Sequence, residues 1–247
     1  MHQLDKKHKN FLKYGGIDGG DHNAKIWFVG IEWSAKKDMD KWLANHQEKT
    51  SFQELIPDIT LSEEINEWLD KGCCLEHRMG LIIGEIENIK ADSPIELTQK
   101  LIEKGKFFQA NSGYAKLNLY PLPFSGFYEH KNIEKLYPNL GFTSYSDYCQ
   151  WCLKNRFSVF HDLIKNKKNK PQIIICFGKT NNEDFKAAFQ VGKKISKHLL
   201  SNNNIEIELR QLNNSHNYYI IYLPFPKKEN ENLLIEAGKQ IKKFLSQ

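Results

Sequence analysis

The residues best suited to chemistry follow a short apolar run near the amino terminus, in the stretch K-I-W-F-V-G-I-E-W-S from 25 to 34. Residues 26 to 29 are continuously apolar, a pattern typical of a parallel β-strand buried on both faces. Gly30 allows a turn at the carboxyl end of that strand, where open α/β sheets bind ligands. Glu32 is therefore a candidate catalytic carboxylate. The same pattern also fits the glycine-ended first strand of any Rossmann-like protein, with Glu32 as a charge at a helix start.

A second polar group follows another predicted strand, from 115 to 120, which ends at Pro121 because proline cannot continue a central ladder. Asn118 lies near the carboxyl end of this strand. Its amide carries an acceptor and a donor group, and the edge of a nucleobase offers the complementary pattern. Asn118 is thus a candidate for reading a base. The alternative is an asparagine that caps the following loop through its own backbone.

Further apolar runs lead to similar strand ends. Residues 172 to 177 precede Gly178, Lys179 and Thr180 at a predicted helix start, where backbone N–H groups and a cation favour phosphate. The complete P-loop pattern is absent. Residues 218 to 223 form another predicted strand, which precedes P-F-P-K-K, and the alternating stretch from 205 to 212 predicts an edge strand.

Helices are predicted to position these strand ends. Apolar residues recur three and four positions apart in 2 to 14, 38 to 47, 62 to 71, 73 to 90, 94 to 104, 129 to 166 and 231 to 245. The connection from about 38 to 104 far exceeds the usual parallel crossover of about a dozen residues. It predicts a helical insertion over the cleft, in which His77 and Arg78 have surface roles. The prediction is one α/β domain over residues 1 to 247, with three α/β/α layers around a mainly parallel four-stranded sheet.

The composition indicates which kind of binding partner and which cellular compartment to expect. The chain has 247 residues, with 35 basic against 30 acidic residues and a formal net charge of +5, the sign that favours a polyanionic partner. A solvated lysine-rich surface explains the same excess. No apolar run is long enough to span a membrane, and the amino terminus is too polar for a signal peptide, so a cytoplasmic location is expected.

The five cysteines do not indicate a disulfide framework, since their number is odd. Cys149 and Cys152 form a C-x-x-C on one predicted helix face, and the adjacent Cys73 and Cys74 are poorly placed to complete a tetrahedral metal site. Neither a metal nor another cofactor is expected.

Together the strand ends resemble the motifs of the uracil-DNA glycosylase superfamily, particularly its single-strand-selective and mismatch-specific branches. Gly30, Ile31 and Glu32 are in register with the family's G-[IMQ]-[ND]-P. The family's N-L-x-P-L is matched by Asn118, Leu119, Pro121 and Leu122, and L-P-F-P-K at 223 to 227 follows the frame of H-P-S-P-R. Three departures stand out: Glu32 replaces Asp or Asn, Trp33 replaces proline, and Leu223 replaces the histidine that bonds the departing base oxygen.

The resemblance implies a uracil-DNA glycosylase-like fold and a monomeric enzyme that flips a nucleotide out of DNA and hydrolyses its N-glycosidic bond. Glu32 would stabilise the cationic sugar and orient or deprotonate the attacking water. Substrate contacts are expected from Trp33, Asn118, Tyr120, Leu223 and Phe225. DNA contacts are expected from Ser34, Gly178, Lys179, Thr180, Lys227 and Lys228.

The departures also bear on the substrate. A leucine at position 223 cannot stabilise negative charge on a leaving base. With the long insertion, this favours a modified pyrimidine over plain uracil, for example a hydroxymethylated or glucosylated cytosine of phage DNA, and hence a role in antiviral defence. Two alternatives stay open: a catalytically inactive DNA-binding member of the same fold, and a nucleotide-processing α/β enzyme.

Overall fold

A computed structural model describes residues 6–15, 17–21, 23–31, 75–122, 124, 133–165, 171–178, 181–200, 205–212, 216–225 and 230–246. The strands are β1 Ile17–Gly20, β2 Ile26–Gly30, β3 Tyr114–Asn118, β4 Ile173–Phe177, β5 Lys193–Leu200, β6 Ile205–Leu212 and β7 His216–Leu223. The helices are α1 Lys6–Tyr14, α2 Leu75–Glu87, α3 Pro94–Glu103, α4 Ile133–Leu136, α5 Tyr145–Asn155, α6 Phe157–Lys165, α7 Asn182–Phe189 and α8 Glu231–Leu245, with a 3₁₀ turn at Pro138–Leu140.

The strands form one mixed sheet in the order β1-β3-β2-β4-β7-β6-β5. β2 is parallel to both β3 and β4, and β4 is parallel to β7. The other three pairings, β1 with β3, β7 with β6 and β6 with β5, are antiparallel. The predicted α/β class is confirmed. The sheet is larger and more mixed than the predicted mainly parallel four-stranded one, because the described residues alone contribute seven strands, and three of the pairings are antiparallel.

Two strands are not predicted from the sequence, and for a third the predicted position at the edge of the sheet is wrong. Residues 17 to 20 are predicted as a turn-rich lead, yet they form β1, whose Gly20 would bring a Cβ within 2.3 Å of the Tyr114 carbonyl oxygen. β5 has the sequence K-K-I-S-K-H-L-L, which lacks the apolar alternation of a half-buried strand. β6 lies between β5 and β7, so it is not the predicted edge strand. In β1 and β5, pairing with neighbouring strands outweighs local propensity.

The core has two parts, one on each face of the sheet. Trp27 and Val29 face a cluster completed by residues of α1, α5, α6 and α7. Ile26 and Phe28 face a second cluster with residues of α2, α3 and α8. The continuous apolarity of the central strands follows from this arrangement, since both faces are covered.

The described part of the predicted insertion belongs to this core. α2 and α3 supply Met79, Ile82 and Leu101 to the second cluster. Ser93 is the N-cap of α3, and its Oγ accepts from the Glu96 N–H at 3.2 Å. The surface role predicted for His77 is wrong: the side chain is buried, and its Nδ1 lies 3.1 Å from the Thr98 Oγ1.

Candidate functional site

The carboxyl ends of the four parallel strands lie side by side at one edge of the sheet. Gly30 pairs with Asn118, and Phe177 pairs with Leu223. Because side chains alternate along a strand, these four positions face the same layer, formed by α2, α3 and α8. We call Asn118, Gly30, Phe177 and Leu223, in their order across the sheet, the strand-end row.

Asn118 and Gly30 are in intimate contact. Asn118 is only 3% exposed, and its Oδ1 lies 2.8 Å from the point that a Cβ on residue 30 would occupy. A side chain at position 30 would therefore displace the amide. Gly30 is predicted as the start of a turn, whereas in the structure it is the last residue of β2 and serves to admit Asn118.

Backbone hydrogen bonds continue this pairing past the ends of the strands. The Leu119 N–H donates to the Gly30 carbonyl at 2.9 Å, and the Tyr120 N–H donates to the Ile31 carbonyl at 2.8 Å. The segment that leads to Glu32 is thus held beside the segment that follows Asn118. The fold thus places side by side the two motifs of the resemblance that contain Gly30 and Asn118, which lie far apart in the sequence.

Arg156 fixes the segment after β3 from the opposite face. It is fully buried at the junction of α5 and α6, and it donates to the carbonyl oxygens of Asn118 and Leu119, both at 2.7 Å. It also donates to the carbonyls of Leu12 at 3.2 Å and Lys13 at 2.8 Å, near the end of α1. Arg156 is not among the site residues predicted from the sequence. An arginine amid the buried aromatic positions of two helices was the available signal.

A charged pair lies on the same face of β3 as Asn118. The Lys116 Nζ is 2.6 Å from the Glu76 Oε1, and the two side chains are 12% and 20% exposed. Burial acts to raise the pKa of Glu76, but the charge and hydrogen bond of Lys116, together with a backbone hydrogen bond and the charge of His77, outweigh it and lower the pKa. This pair was also missed, although a lysine inside the strand sequence Y-A-K-L-N was a visible signal. It places fixed opposite charges close to the candidate site.

Several predicted site residues lie outside the described residues: Glu32, Trp33, Ser34, Lys179, Thr180, Lys227 and Lys228. The described chain reaches Ile31 on one side of the candidate site and Phe225 on the other. The predicted catalytic role of Glu32 and the predicted cation contacts therefore stay predictions.

The remaining predicted substrate contacts are dispersed. Tyr120 is buried on the opposite face among Tyr145, Tyr148 and Phe157, and burial strongly raises its pKa. Leu223 is fully buried within the strand-end row, whereas Phe225 is exposed. The structure brings Asn118, Gly30 and Leu223 to one face and separates Tyr120 from them.

Gly178 does not present a free N–H to a phosphate. Its N–H donates to the Leu223 carbonyl at 3.0 Å, and its own carbonyl accepts from the Asn181 N–H at 2.8 Å. The first turn of α7 also carries Glu183 and Asp184, which already complement the helix dipole. Phosphate binding at this helix would have to depend on other groups.

The cysteines of α5 are part of the helical layer. Cys149 is half-buried, and Cys152, one turn later, is fully buried. Across the described ranges, no group of three or more His, Cys, Asp or Glu side chains is arranged to hold a metal ion.

Among the described helices, none has the length and apolarity needed to cross a membrane. No protein-family model matches the chain, and no curated protein matches it in sequence.

Proposed function

We propose that the protein is a DNA glycosylase that hydrolyses the N-glycosidic bond of a modified pyrimidine. The observation that carries the proposal is the contact between Asn118 and Gly30 at the adjoining carboxyl ends of β3 and β2. These residues belong to two separate motifs of the resemblance. Their contact is the arrangement expected if the motifs form one site with a uracil-DNA glycosylase-like parallel sheet behind it.

The proposed chemistry uses one group from each motif. A base stacked in DNA is out of reach, so the nucleotide must be flipped towards the strand-end row. The Asn118 amide would hydrogen-bond the edge of the base. Glu32, two residues after Gly30, would stabilise the oxocarbenium-like sugar and orient or deprotonate the attacking water, as carboxylates do in glycoside hydrolysis.

The row also supports a base other than uracil. Leu223 and Phe177 are both apolar and fully buried, and they occupy the part of the row farthest from Asn118. Neither can donate a hydrogen bond to the departing base. A modified cytosine of phage DNA fits this proposal, and the protein would then act in the cytoplasm in antiviral defence.

The defining experiment measures abasic sites. Oligonucleotides with uracil or unmodified cytosine are compared with phage DNA that carries hydroxymethylated or glucosylated cytosine. Abasic sites are expected only in the modified DNA. Release of uracil alone would remove the modified-base specificity. DNA binding without base release would favour the inactive DNA-binding alternative, and binding of free nucleotides without DNA binding would favour the nucleotide-processing alternative.

Replacement of Glu32 by glutamine tests the catalytic assignment. Base release should fall by about 100-fold or more, the usual contribution of a positioned acid or base, while DNA affinity stays within about twofold. Single-turnover base release and DNA binding are measured in parallel. The matched control is Glu134→Gln on the exposed surface of α4. Equal turnover by Glu32→Gln and the control would refute the role of Glu32.

A further inference from the structure

β5 is the outer strand at one end of the sheet, and its side chains are largely exposed. Six of its eight residues are exposed, the exceptions being Ser196 and Leu200. Within the described part of the chain, β5 pairs with β6 alone, and only Leu200 packs against a core cluster. Among the described residues nothing pairs with its outer edge, which is a row of backbone donors and acceptors.

The charged side chains of this edge are all basic. β5 carries Lys193, Lys194, Lys197 and His198 and no acidic residue. Lys197 is paired with Glu206 of β6 at 2.9 Å, and the neighbouring Glu208 is paired with Arg210 at 3.2 Å. Lys193 and Lys194 form no ion pair with any described residue. The acids of β6 are thus already matched, which leaves the outer edge positive.

Two apolar side chains interrupt this basic surface. Ile195 is 48% exposed and Leu199 is 46% exposed, and they are two of the five large hydrophobic side chains found exposed among the described residues. A β-bulge between Lys194 and Ser196 sets Ile195 outside the regular register. From Ser196 to Leu200 the pairing is regular, so this stretch presents an ordered edge.

We propose that β5 is a docking strand for an extended segment of a partner protein, rich in acidic and apolar residues, which adds to the sheet beside Ser196–Leu200. Strand addition supplies backbone hydrogen bonds, and the alternate side chains supply specificity. The acidic residues of the segment would pair with Lys193, Lys194 and His198. Its apolar residues would cover Ile195 and Leu199.

Two other occupants, a second copy of β5 and nucleic acid, would use less of this surface. A second copy of β5 would bring a strand with the same positive charge alongside, which is the usual way that lysines protect an edge from self-pairing. Nucleic acid would engage the lysines, but β5 has no Phe, Tyr or Trp side chain for base stacking, and the backbone edge and Ile195 would gain little. Only an acidic extended peptide uses all three features.

This surface is separate from the proposed glycosylase site. β5 is five strand positions from β3 in the sheet order. At about 4.8 Å between strands, this is roughly 24 Å from Asn118. The docking proposal can therefore stand or fall without the glycosylase proposal.

The test uses the full chain and fluorescent synthetic peptides. An alternating Glu-Val heptapeptide is compared with a Lys-Val heptapeptide and with a Glu-Val heptapeptide N-methylated at every inner amide, which keeps the side chains but removes the donors. Fluorescence anisotropy should show binding of the unmodified Glu-Val peptide, with at least about tenfold weaker binding of the other two. Wild-type protein that binds none of the peptides, or binds the N-methylated one equally well, would overturn the proposal.

A charge-reversal variant gives the second readout. Lys193→Glu with Lys194→Glu should weaken binding of the Glu-Val peptide about tenfold and strengthen binding of the Lys-Val peptide, because the sign of the edge is reversed. The matched control is Lys9→Glu with Lys154→Glu, two exposed helical lysines away from β5. Circular dichroism confirms that both variants fold.

The same variants distinguish the rival occupants. If the reversal leaves peptide binding unchanged but weakens binding of a mixed-sequence DNA about tenfold, nucleic acid is the occupant and the proposal is wrong. If the wild type is dimeric in sedimentation and Leu199→Glu makes it monomeric, a second copy is the occupant and the proposal is equally wrong. A wild-type monomer whose peptide affinity alone responds to the reversal supports it.

Discussion

At the scale of single residues, Arg156 shows how a buried charge can hold the main chain beside a candidate site in one place. Its guanidinium binds four main-chain carbonyls that belong to two distant parts of the chain, and it also lies 5.1 Å from the centre of the Phe160 ring. A buried cation is costly unless its donors are used, so these bonds hold the segment after β3 in one conformation. They thereby also fix the position of Asn118, the last residue of β3.

The contact between Gly30 and Asn118 predicts that two different substitutions have one effect. Gly30→Ala should displace the Asn118 amide, so it should lower base release about as much as Asn118→Ala, by roughly 10- to 100-fold. The double variant should be little worse than either single one, because both remove the same interaction. Base-release rates of the four proteins form the cycle. If the losses in base-release rate of the two single variants add up in the double variant, the role of Asn118 does not depend on its contact with Gly30.

The ion pair between Lys116 and Glu76 predicts a pH dependence of stability. The pKa of Glu76 is lowered from its ordinary value of 4.5, so the pair stabilises the native state above that pH and loses its contribution as the pH falls below it. Glu76→Gln should lower the free energy of unfolding by about 2 kcal/mol at pH 7. This difference from the wild type should shrink below about pH 4.5.

Urea unfolding at several values between pH 7 and pH 3 measures the effect, with Glu134→Gln as the exposed control. A difference between the wild type and Glu76→Gln that is independent of pH would contradict the assignment.

At the scale of elements, α2 and α8 pack so closely that a glycine is required between them. A Cβ on Gly238 of α8 would lie 2.9 Å from the Ile82 carbonyl oxygen and 2.7 Å from the Glu85 Cβ of α2. These are atoms of the helix itself, which no side-chain rotation can move away. The short distance between the two helices lets α2 and α8 cover the same face of the sheet.

Gly238→Ala should therefore destabilise the protein by about 1–3 kcal/mol, even though alanine favours a helix by about 1 kcal/mol over glycine. The free energy of unfolding from urea denaturation gives the measurement. Lys239→Ala, at the next and exposed position of α8, is the control and should change it by less than about 0.5 kcal/mol. A neutral or stabilising Gly238→Ala would show that the helices can separate freely.

At the scale of the whole molecule, the first core cluster joins the sheet to the helices of one face. Cys176 of β4 and Cys152 of α5 both lie in it and are almost fully buried. Burial raises the pKa of both thiols, so neither forms the reactive thiolate near neutral pH. Their reactivity thus reports whether sheet and helices unfold together.

Iodoacetamide should label Cys152 and Cys176 only when the protein unfolds, and both at the same urea concentration as the loss of far-UV circular dichroism. Peptide mass spectrometry resolves the sites, and half-buried Cys149 is the internal reference. Labelling of Cys152 at a lower urea concentration than Cys176 would mean that the helical layer opens separately. The single domain over residues 1 to 247 stays a prediction that this measurement tests.

The sequence by itself determined the central strands β2, β3, β4 and β7 and the helices α2, α3 and α8, because long apolar runs and regular apolar spacing are local signals. It also marked the strand ends with Gly30, Asn118 and Leu223. The stretch from 129 to 166, predicted to be helical, contains α4, α5 and α6, and Pro138 begins the 3₁₀ turn between α4 and α5.

Only the tertiary structure decided which distant groups meet. Several features depend on contacts between residues far apart in the chain. They are the contact of Asn118 with Gly30, the ion pair of Lys116 with Glu76, the burial of His77, and the strands β1 and β5. Local propensity carries no information about such contacts, because their energy comes from pairing and desolvation in the folded state. The sequence thus named the residues of the candidate site, and the fold selected those that share one face.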